Sequence, residues 1–209
     1  MIELIDNISQ LLAVLLAFIA SGSLFYKSRL QSYLLISCFY GTFMLGSLYW
    51  TLHYFLFDYT PQLFYVSELA WIASYTFLLT LEYSLSTVEE RKFFHPGLWL
   101  VPIFCIPQLI IYFSIGDILF NILLGSLTMS VAWFSLRGLF YARRQTGKSR
   151  DRQIFHIAVL VIIVLEYSLW TSSCFWVSND LTNPYFWIDF MLTASMLALL
   201  PAMKKAVTS

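Results

Sequence analysis

The most constraining feature of the chain is the distribution of its basic residues around seven long apolar segments. All twelve lysines and arginines lie in, or at the edge of, alternate gaps between these segments, whereas the N-terminus and the remaining gaps hold only acidic charges. Basic residues are retained on the cytoplasmic side of a membrane. We therefore predict seven membrane-spanning helices, with the N-terminus outside and the C-terminus inside. The basic residues are Lys27, Arg29, Arg91, Lys92, Arg137, Arg143, Arg144, Lys148, Arg150, Arg152, Lys204 and Lys205. The acidic residues of the other gaps and the N-terminus are Glu3, Asp6, Asp58, Asp117 and Asp180.

The length and spacing of the segments exclude a separate soluble domain. Each segment is close to the ~20 residues that cross a hydrocarbon core about 30 Å thick, and together they use nearly all 209 residues. Only 11% of the residues are charged, against about 25% in soluble domains. We expect a lipid bilayer as the environment, in the plasma membrane, and no nucleic-acid partner. The predicted segments are Ile8–Tyr26, Tyr33–Phe57, Phe64–Ser86, Leu98–Ile115, Ile118–Tyr141, Ile154–Val177 and Tyr185–Met203.

An internal repeat is indicated when the chain is compared with itself at a constant offset. The second and third segments then align with the sixth and seventh without a gap. Lys27-Ser28-Arg29 meets Lys148-Ser149-Arg150, and Glu68 meets Asp189. Because apolar sequences match one another easily, the constant register and the coincident acids carry more weight than the identities.

The repeat predicts a single all-α transmembrane domain made of two three-helix units. Residues 1–90 form the first unit, residues 91–116 contain the linking fourth helix, and residues 117–209 form the second unit. Two parallel three-helix units need an odd connecting helix between them. This topology resembles that of the SWEET sugar transporters, the PQ-loop transporters and the KDEL receptor, and more loosely that of the rhodopsins. The resemblance covers the whole chain as topology, but no family fingerprint accompanies it, so no functional residues are carried over.

Five residues of the third segment form one helical stripe that contains two acids. Glu68, Trp71, Tyr75, Leu78 and Glu82 recur at i, i+3, i+7, i+10 and i+14, which places them on the same face of a helix. A face exposed to lipid does not carry two carboxyl groups. We therefore expect the stripe to face the interior of the bundle.

The repeat predicts that Asp189 approaches Glu68 near the outer surface. Two neighbouring carboxyl groups bind a cation or share a proton, because both do not ionise easily together. Trp71 and Tyr75 lie just beneath them and can stack on a cationic group. The pattern therefore predicts a site for a cationic or amine-bearing substrate at Glu68, Trp71, Tyr75 and Asp189. The alternative is that each acid only bonds to a nearby hydroxyl or water.

The sixth segment contains the most deeply placed acid. Glu166 shares a helix face with Trp170 and Ser173, which indicates the lining of a cavity. We therefore add Glu166 and Trp170 to the predicted substrate site. His53 of the second segment, together with Glu166, is a candidate proton relay; the alternative is that His53 is an ordinary interfacial side chain.

Two charged residues near the cytoplasmic ends carry a structural expectation. We expect Glu82 to extend toward water or toward an arginine, since a long side chain near a helix end can reach the interface. Arg137 is expected to extend in the same way, or to pair with Glu82.

These patterns favour a small-solute transporter or facilitator. The chief alternative is a seven-helix receptor or sensor that signals to a cytoplasmic partner at the Arg143–Arg152 loop, and a third is an accessory subunit of a membrane complex. A homo-oligomer is compatible with each of them. We expect no catalytic residues, cofactor or bound metal, because enzyme and metal-ligand motifs are missing from the sequence, although a membrane hydrolase built from scattered acids is a lesser alternative.

Overall fold

The computed structural model describes residues 2–57, 59, 61, 65–116, 118–145 and 148–208. Over these residues the chain forms eight α-helices and no strand. The start of the third predicted segment at Phe64 and the predicted outer acids Asp58 and Asp117 lie outside the described residues. The helices are α1 (Ile2–Ser28), α2 (Gln31–Phe57), α3 (Tyr65–Leu85), α4 (Val88–Lys92), α5 (Leu100–Ile115), α6 (Ile118–Arg143), α7 (Lys148–Phe175) and α8 (Pro184–Thr208).

Each of the seven predicted segments corresponds to one of the long helices, and α4 is a short addition between the third and fourth segments. Six of the helices in the described part of the chain are long and apolar enough to cross a membrane. This is the character of a helical integral membrane protein. The helix α3 is not among the six. It is less apolar because it carries Glu68, Glu82 and several hydroxyl side chains.

Local sequence explains how the connections at one end of the bundle are made. The turn between α1 and α2 is only two residues long, and Arg29 adopts a left-handed conformation there with φ of 58°, as residues that end a helix often do. Thr87 caps α4, since its side chain accepts a hydrogen bond from the backbone N–H of Glu90. Pro96 then starts the 3₁₀ turn Pro96–Trp99 that leads into α5.

Six of the long helices form a closed ring in the order α1, α2, α3, α6, α7, α8, and α8 packs against α1 to close it. The helix α5 lies outside this ring and packs against α6 and α7. The short helix α4 contacts α6. A ring of helices can enclose a polar interior while its outer surface stays apolar, and the exposed Leu16 and Ile19 on α1 and Ile103 and Ile110 on α5 form such a surface.

The middle of the ring is filled by large apolar side chains. Tyr40 on α2 is fully buried, and its hydroxyl donates a 2.7 Å hydrogen bond to the carbonyl of Met196 on α8. The predicted interior stripe of α3 is confirmed, because Tyr75, Leu78 and Glu82 are each 0–1% exposed. This layer separates two polar regions at opposite ends of the ring.

Candidate functional site

A cavity of about 550 Å³ opens at the end of the ring where α7 ends and α8 begins. We refer to it as the main cavity. Helices α1, α2, α3, α7 and α8 all contribute to its wall, and its volume lies within the range of small-molecule sites. Its acidic side chains are Glu3, Asp6, Glu166 and Asp189, and its tryptophans are Trp50, Trp71, Trp170 and Trp176.

Asp189 is held at the wall of the main cavity by side chains from two other helices. Gln10 Nε2 on α1 donates a 2.6 Å hydrogen bond to Asp189 Oδ1. Ser47 Oγ on α2 in turn donates to Gln10 Oε1 over 3.1 Å. The carboxyl group of Asp6, which is 1% exposed, is close enough to that of Asp189 to interact with it directly. Because two such carboxylates repel each other, the pair favours a shared proton or a bound cation over two free charges.

Glu166 on α7 lies deeper in the main cavity and is 7% exposed. Its Oε1 accepts a 3.1 Å hydrogen bond from Trp170 Nε1, one turn later on the same helix. The fully buried hydroxyl of Tyr75 lies near the same carboxyl group. Trp170 therefore orients Glu166 through Oε1, while Oε2 and the nearby Tyr75 hydroxyl are both buried without another hydrogen-bond partner among the described residues.

Several buried polar atoms around the main cavity lack a hydrogen-bond partner among the described residues. Leaving such an atom unpaired costs about 1–3 kcal/mol, so polar groups of a ligand or solvent fit against the atoms that border this cavity. The four that belong to residues lining the cavity are Asp6 Oδ1, Asn7 Nδ2, Trp71 Nε1 and Glu166 Oε2.

A second cavity of about 210 Å³ adjoins the main cavity and is lined by Glu68. We refer to it as the side cavity. The two cavities share Trp50, Trp71, Trp170 and Ser173 as lining residues. The rings of Trp71 and Trp170 meet edge to face, with centroids 6.4 Å apart and an interplanar angle of 75°.

The predicted site residues are therefore only partly brought together. Trp71, Trp170, Glu166 and Asp189 line the main cavity. Glu68 lines the side cavity, whereas the carboxyl group that interacts with Asp189 in the main cavity is that of Asp6. The repeat implied that the partner of Asp189 would come from α3, but α1 closes the ring against α8 and supplies the nearer acid.

Two other predicted residues lie away from the cavity walls. Tyr75 belongs to the buried layer beneath the main cavity rather than to its lining. His53 lies near the end of α2, where its Nδ1 is 3.1 Å from the carbonyl of Tyr59 and its ring packs 4.8 Å from that of Phe57. The structure does not bring His53 and Glu166 together, and these contacts are those of an interfacial side chain.

Asp6 and Gln10 were not predicted as site residues, because the N-terminal acids served only as a topology signal. Glu3, Asp6 and Gln10 are spaced i, i+3 and i+7 and so share one face of α1. That spacing was a sufficient signal for a polar helix face. The predicted first segment began at Ile8 and so excluded Asp6, whereas α1 begins at Ile2 and contains it.

A separate group of buried polar side chains lies at the opposite end of the ring. We call it the Glu82 cluster: Glu82, Glu90, Ser135, Arg152 and His156. Ser135 Oγ donates a short hydrogen bond to Glu82 Oε1, and His156 Nδ1 is 3.1 Å from Glu82 Oε2. Arg152 Nη1 is 3.6 Å from Glu90 Oε2. Burial raises the pKa of the Glu90 carboxyl, while the neighbouring His156 and Arg152 act in the opposite direction.

This cluster corrects the two structural expectations for the cytoplasmic ends. Glu82 does not extend toward water or an arginine, because it is 1% exposed and bonded to Ser135 and His156. Arg137 does not extend either: it is 9% exposed, and its Nη1 donates a 2.9 Å hydrogen bond to the carbonyl of Arg91. Both stay inside because neighbouring helices supply partners that a single helix could not.

No protein family, curated protein or solved structure matches the chain. Within the described residues, no group of three or more histidines, cysteines or acids is arranged to hold a metal ion. The functional argument therefore rests on the geometry of the main cavity.

Proposed function

We propose that the chain is a small-solute membrane transporter or facilitator that takes a cationic or amine-bearing substrate into the main cavity. The observation that carries this proposal is the lining of that cavity, where Asp6, Glu166 and Asp189 lie beside several tryptophans. Carboxylates supply the charge that recognises an ammonium group, and tryptophan faces attract cations with about 0.5–2 kcal/mol each. An anionic substrate would be repelled by the same wall.

The topology that we propose for this function has seven spans, with α3 included, the N-terminus outside and the C-terminus inside the plasma membrane. The basic residues of the chain support this topology. All of them lie at the end of the ring that holds the Glu82 cluster, or close in sequence to the helix ends there. The main cavity then faces the outside. In the closed ring α3 packs against α6 and α1 against α8, so the unit α1–α3 packs against the unit α6–α8. This arrangement is expected of a parallel repeat of two three-helix units with α5 between them.

The carboxyl pair of Asp6 and Asp189 suggests how a cation is captured. With the cavity empty of cations, the two groups share a proton, since two adjacent carboxylates do not both ionise easily. An ammonium group that enters can replace that proton and donate hydrogen bonds to both carboxylates. Glu166 Oε2, which is buried and has no hydrogen-bond partner in the described part of the chain, offers a second acceptor deeper in the same cavity.

A receptor or sensor is the second candidate, and the buried layer in the middle of the ring favours it. Tyr40, Tyr75 and Leu78 are each fully buried between the main cavity and the Glu82 cluster. In a sensor this seal would persist, whereas a transporter would open it in a second state. A cytoplasmic partner would dock at Arg143–Arg152, of which residues 146 and 147 and the side chains of residues 148–151 lie outside the described part of the chain. An accessory subunit has less support, because it needs no polar cavity of this kind.

The deciding experiment measures binding and flux on the same protein. Thermal unfolding of the purified chain is followed with a panel of amines, metal ions, nucleosides and sugars, and uptake of each stabilising compound is then measured in proteoliposomes. A ligand that binds the folded state raises the melting temperature with its occupancy. We expect stabilisation by amines, lost in Asp189→Asn and Glu166→Gln, and uptake that is lost in the same variants.

A matched control is Glu89→Gln, which removes an acid that is exposed on α4 and should leave both results unchanged. Amine binding without uptake would favour the sensor. Stabilisation by sugars alone, unaffected by Asp189→Asn, would contradict the proposal.

A further inference from the structure

A tryptophan partition divides the polar interior near the main cavity into two chambers. Trp71 and Trp170 line both the main and the side cavity. Trp50 packs beside Trp71, with ring centroids 5.9 Å apart, and Phe120 packs beside Trp170 at 5.8 Å. The wall that the two cavities share is therefore formed largely by aromatic side chains.

The two chambers offer acids at both ends and an apolar, aromatic middle. The main cavity holds Asp6, Glu166 and Asp189, and the side cavity holds Glu68. Ile115 and Phe120 add an apolar wall to the side cavity. This distribution matches a molecule with a positive charge at each end and a hydrocarbon chain between them. A molecule with a single ammonium group would use only one of the two chambers.

The hydrogen bonds of the partition connect charge recognition to its opening. Trp170 is held by its bond to Glu166 Oε1, and an ammonium group bound at Oε2 of the same carboxylate draws negative charge away from Oε1 and weakens that bond. Trp71 Nε1 is buried without a partner among the described residues. The Trp71 ring also packs on Gly46, where a Cβ would lie 2.8 Å from Trp71 Nε1. Weakening the hydrogen bond to Glu166 therefore removes a restraint on the Trp170 side chain. The Trp71 indole N–H makes no hydrogen bond among the described residues, so none has to be broken there.

We infer that the two cavities together bind one dicationic substrate, such as a linear diamine, with one ammonium group among Asp6, Asp189 and Glu166, the other at Glu68, and the hydrocarbon chain along Trp71 and Trp170. This inference rests on the proposed function and specifies its substrate class. It also gives Glu68, which lines the side cavity, a role in the same site.

The test compares two homologous series of ligands on the purified, full-length chain. Binding is measured calorimetrically for the linear diamines from 1,3-diaminopropane to 1,8-diaminooctane and for the primary monoamines with the same numbers of carbons. We expect one diamine length to bind about tenfold or more tightly than the monoamine of equal length, since a second buried charge contact is worth at least about 1.4 kcal/mol. The preference should fall for both shorter and longer diamines.

Variants assign each end of the ligand. Glu68→Gln should abolish the advantage of the diamine over the monoamine, whereas Asp189→Asn should weaken the binding of both series. Glu89→Gln is the matched control and should change neither. Thermal unfolding without ligand establishes that each variant is folded, and the length preference of the unmodified chain tests the inference even if a variant is not.

The outcomes separate this inference from the proposed function. Monoamine binding that Asp189→Asn abolishes, with no advantage for any diamine, would overturn the dicationic inference and leave the proposed function standing. A diamine advantage that survives in Glu68→Gln would also overturn it. If no amine of either series binds, both the inference and the proposed function fail.

Discussion

Glu166 and Glu82 are both buried carboxyl groups in long helices, but only Glu166 borders a large cavity. Glu166 Oε2 has no hydrogen-bond partner among the described residues, and the same holds for Asp6 Oδ1 nearby. Glu82, in contrast, is bonded through both oxygens, to Ser135 and His156. An acid within a membrane protein is a functional candidate by default, but here the surroundings divide the acids into two kinds.

This difference separates acids that stabilise the contacts between helices from acids that line a cavity. In the Glu82 cluster, α3, α4, α6 and α7 each contribute a polar side chain, so its bonds fix those helices to one another. In the main cavity, the polar atoms that remain unpaired face a space large enough for a ligand. We therefore expect substitutions in the Glu82 cluster to change stability and substitutions in the main cavity to change binding.

The largest effect is expected from breaking the pair of Glu82 and His156. Glu82→Leu or His156→Leu leaves the other member buried without its partner, which costs about 3–5 kcal/mol. The double variant, in which an apolar pair replaces the polar one, should recover much of this loss. The measurement is the free energy of unfolding of the purified protein, analysed as a double-mutant cycle. Two small, additive losses would show that the pair does not stabilise the fold.

A smaller loss is expected when the space beside His156 is filled. A Cβ on Gly138 would lie 2.4 Å from His156 Nε2 and 2.8 Å from Glu90 Oε1, so Gly138→Ala should cost about 1–3 kcal/mol of stability. Gly22→Ala is the matched control. Its Cβ would meet only Ser37 Oγ at 3.6 Å, and alanine is favoured over glycine within a helix by about 0.5–1 kcal/mol. Equal effects at the two glycines would contradict close packing at the Glu82 cluster.

A weaker effect is expected for the ion pair at the edge of the cluster. Arg152 is about a quarter exposed, at 23%, so Arg152→Gln should cost no more than about 1 kcal/mol, and less at high salt. The loss should depend on pH. Burial raises the pKa of Glu90, and without Arg152 the ionised form is less favourable still, so the loss should be present at neutral pH. The part of the loss that comes from the ion pair should disappear as the pH falls through the raised pKa of Glu90, which lies above the ordinary carboxyl value of 4.5, because Glu90 is then protonated with or without Arg152.

The matching control for that pair is Arg143→Gln, at an exposed position in the last turn of α6. A loss of stability that is the same in both variants, or that persists at acidic pH, would show that the contact between Arg152 and Glu90 is not its cause.

The helices could be predicted from the sequence because their signals are local. Apolar length located most helix ends to within about two residues, but α1 starts before Ile8, α7 starts before Ile154 and α8 extends beyond Met203. The i, i+3, i+7 spacing identified the buried stripe that contains Tyr75 and Leu78. Such periodicity depends on residues within one helix. It also correctly indicated that Glu166 and Trp170 share a face.

The contacts between helices could not be predicted in this way. Gln10 and Asp189 are 179 residues apart, and Glu82 and His156 are 74 apart, so no spacing within a helix reveals either pair. In place of such contacts, the internal repeat predicted by symmetry that Glu68 approaches Asp189. In the structure α8 packs against α1, and this contact places Asp6 beside Asp189.

The smallest change in stability is expected from Glu166→Gln and Asp6→Asn, and it tests the comparison most directly. Each variant replaces a buried carboxyl group that has an unpaired oxygen with a neutral amide of nearly the same size. Because a neutral amide is cheaper to bury than a carboxylate, the free energy of unfolding should stay within about 1 kcal/mol of the parent or rise slightly. Amine binding, measured by thermal shift, should be lost in the same proteins. If either variant instead unfolded as easily as Glu82→Leu, the acids of the main cavity would hold the bundle together just as Glu82 does, and the distinction between binding and structural acids would fail.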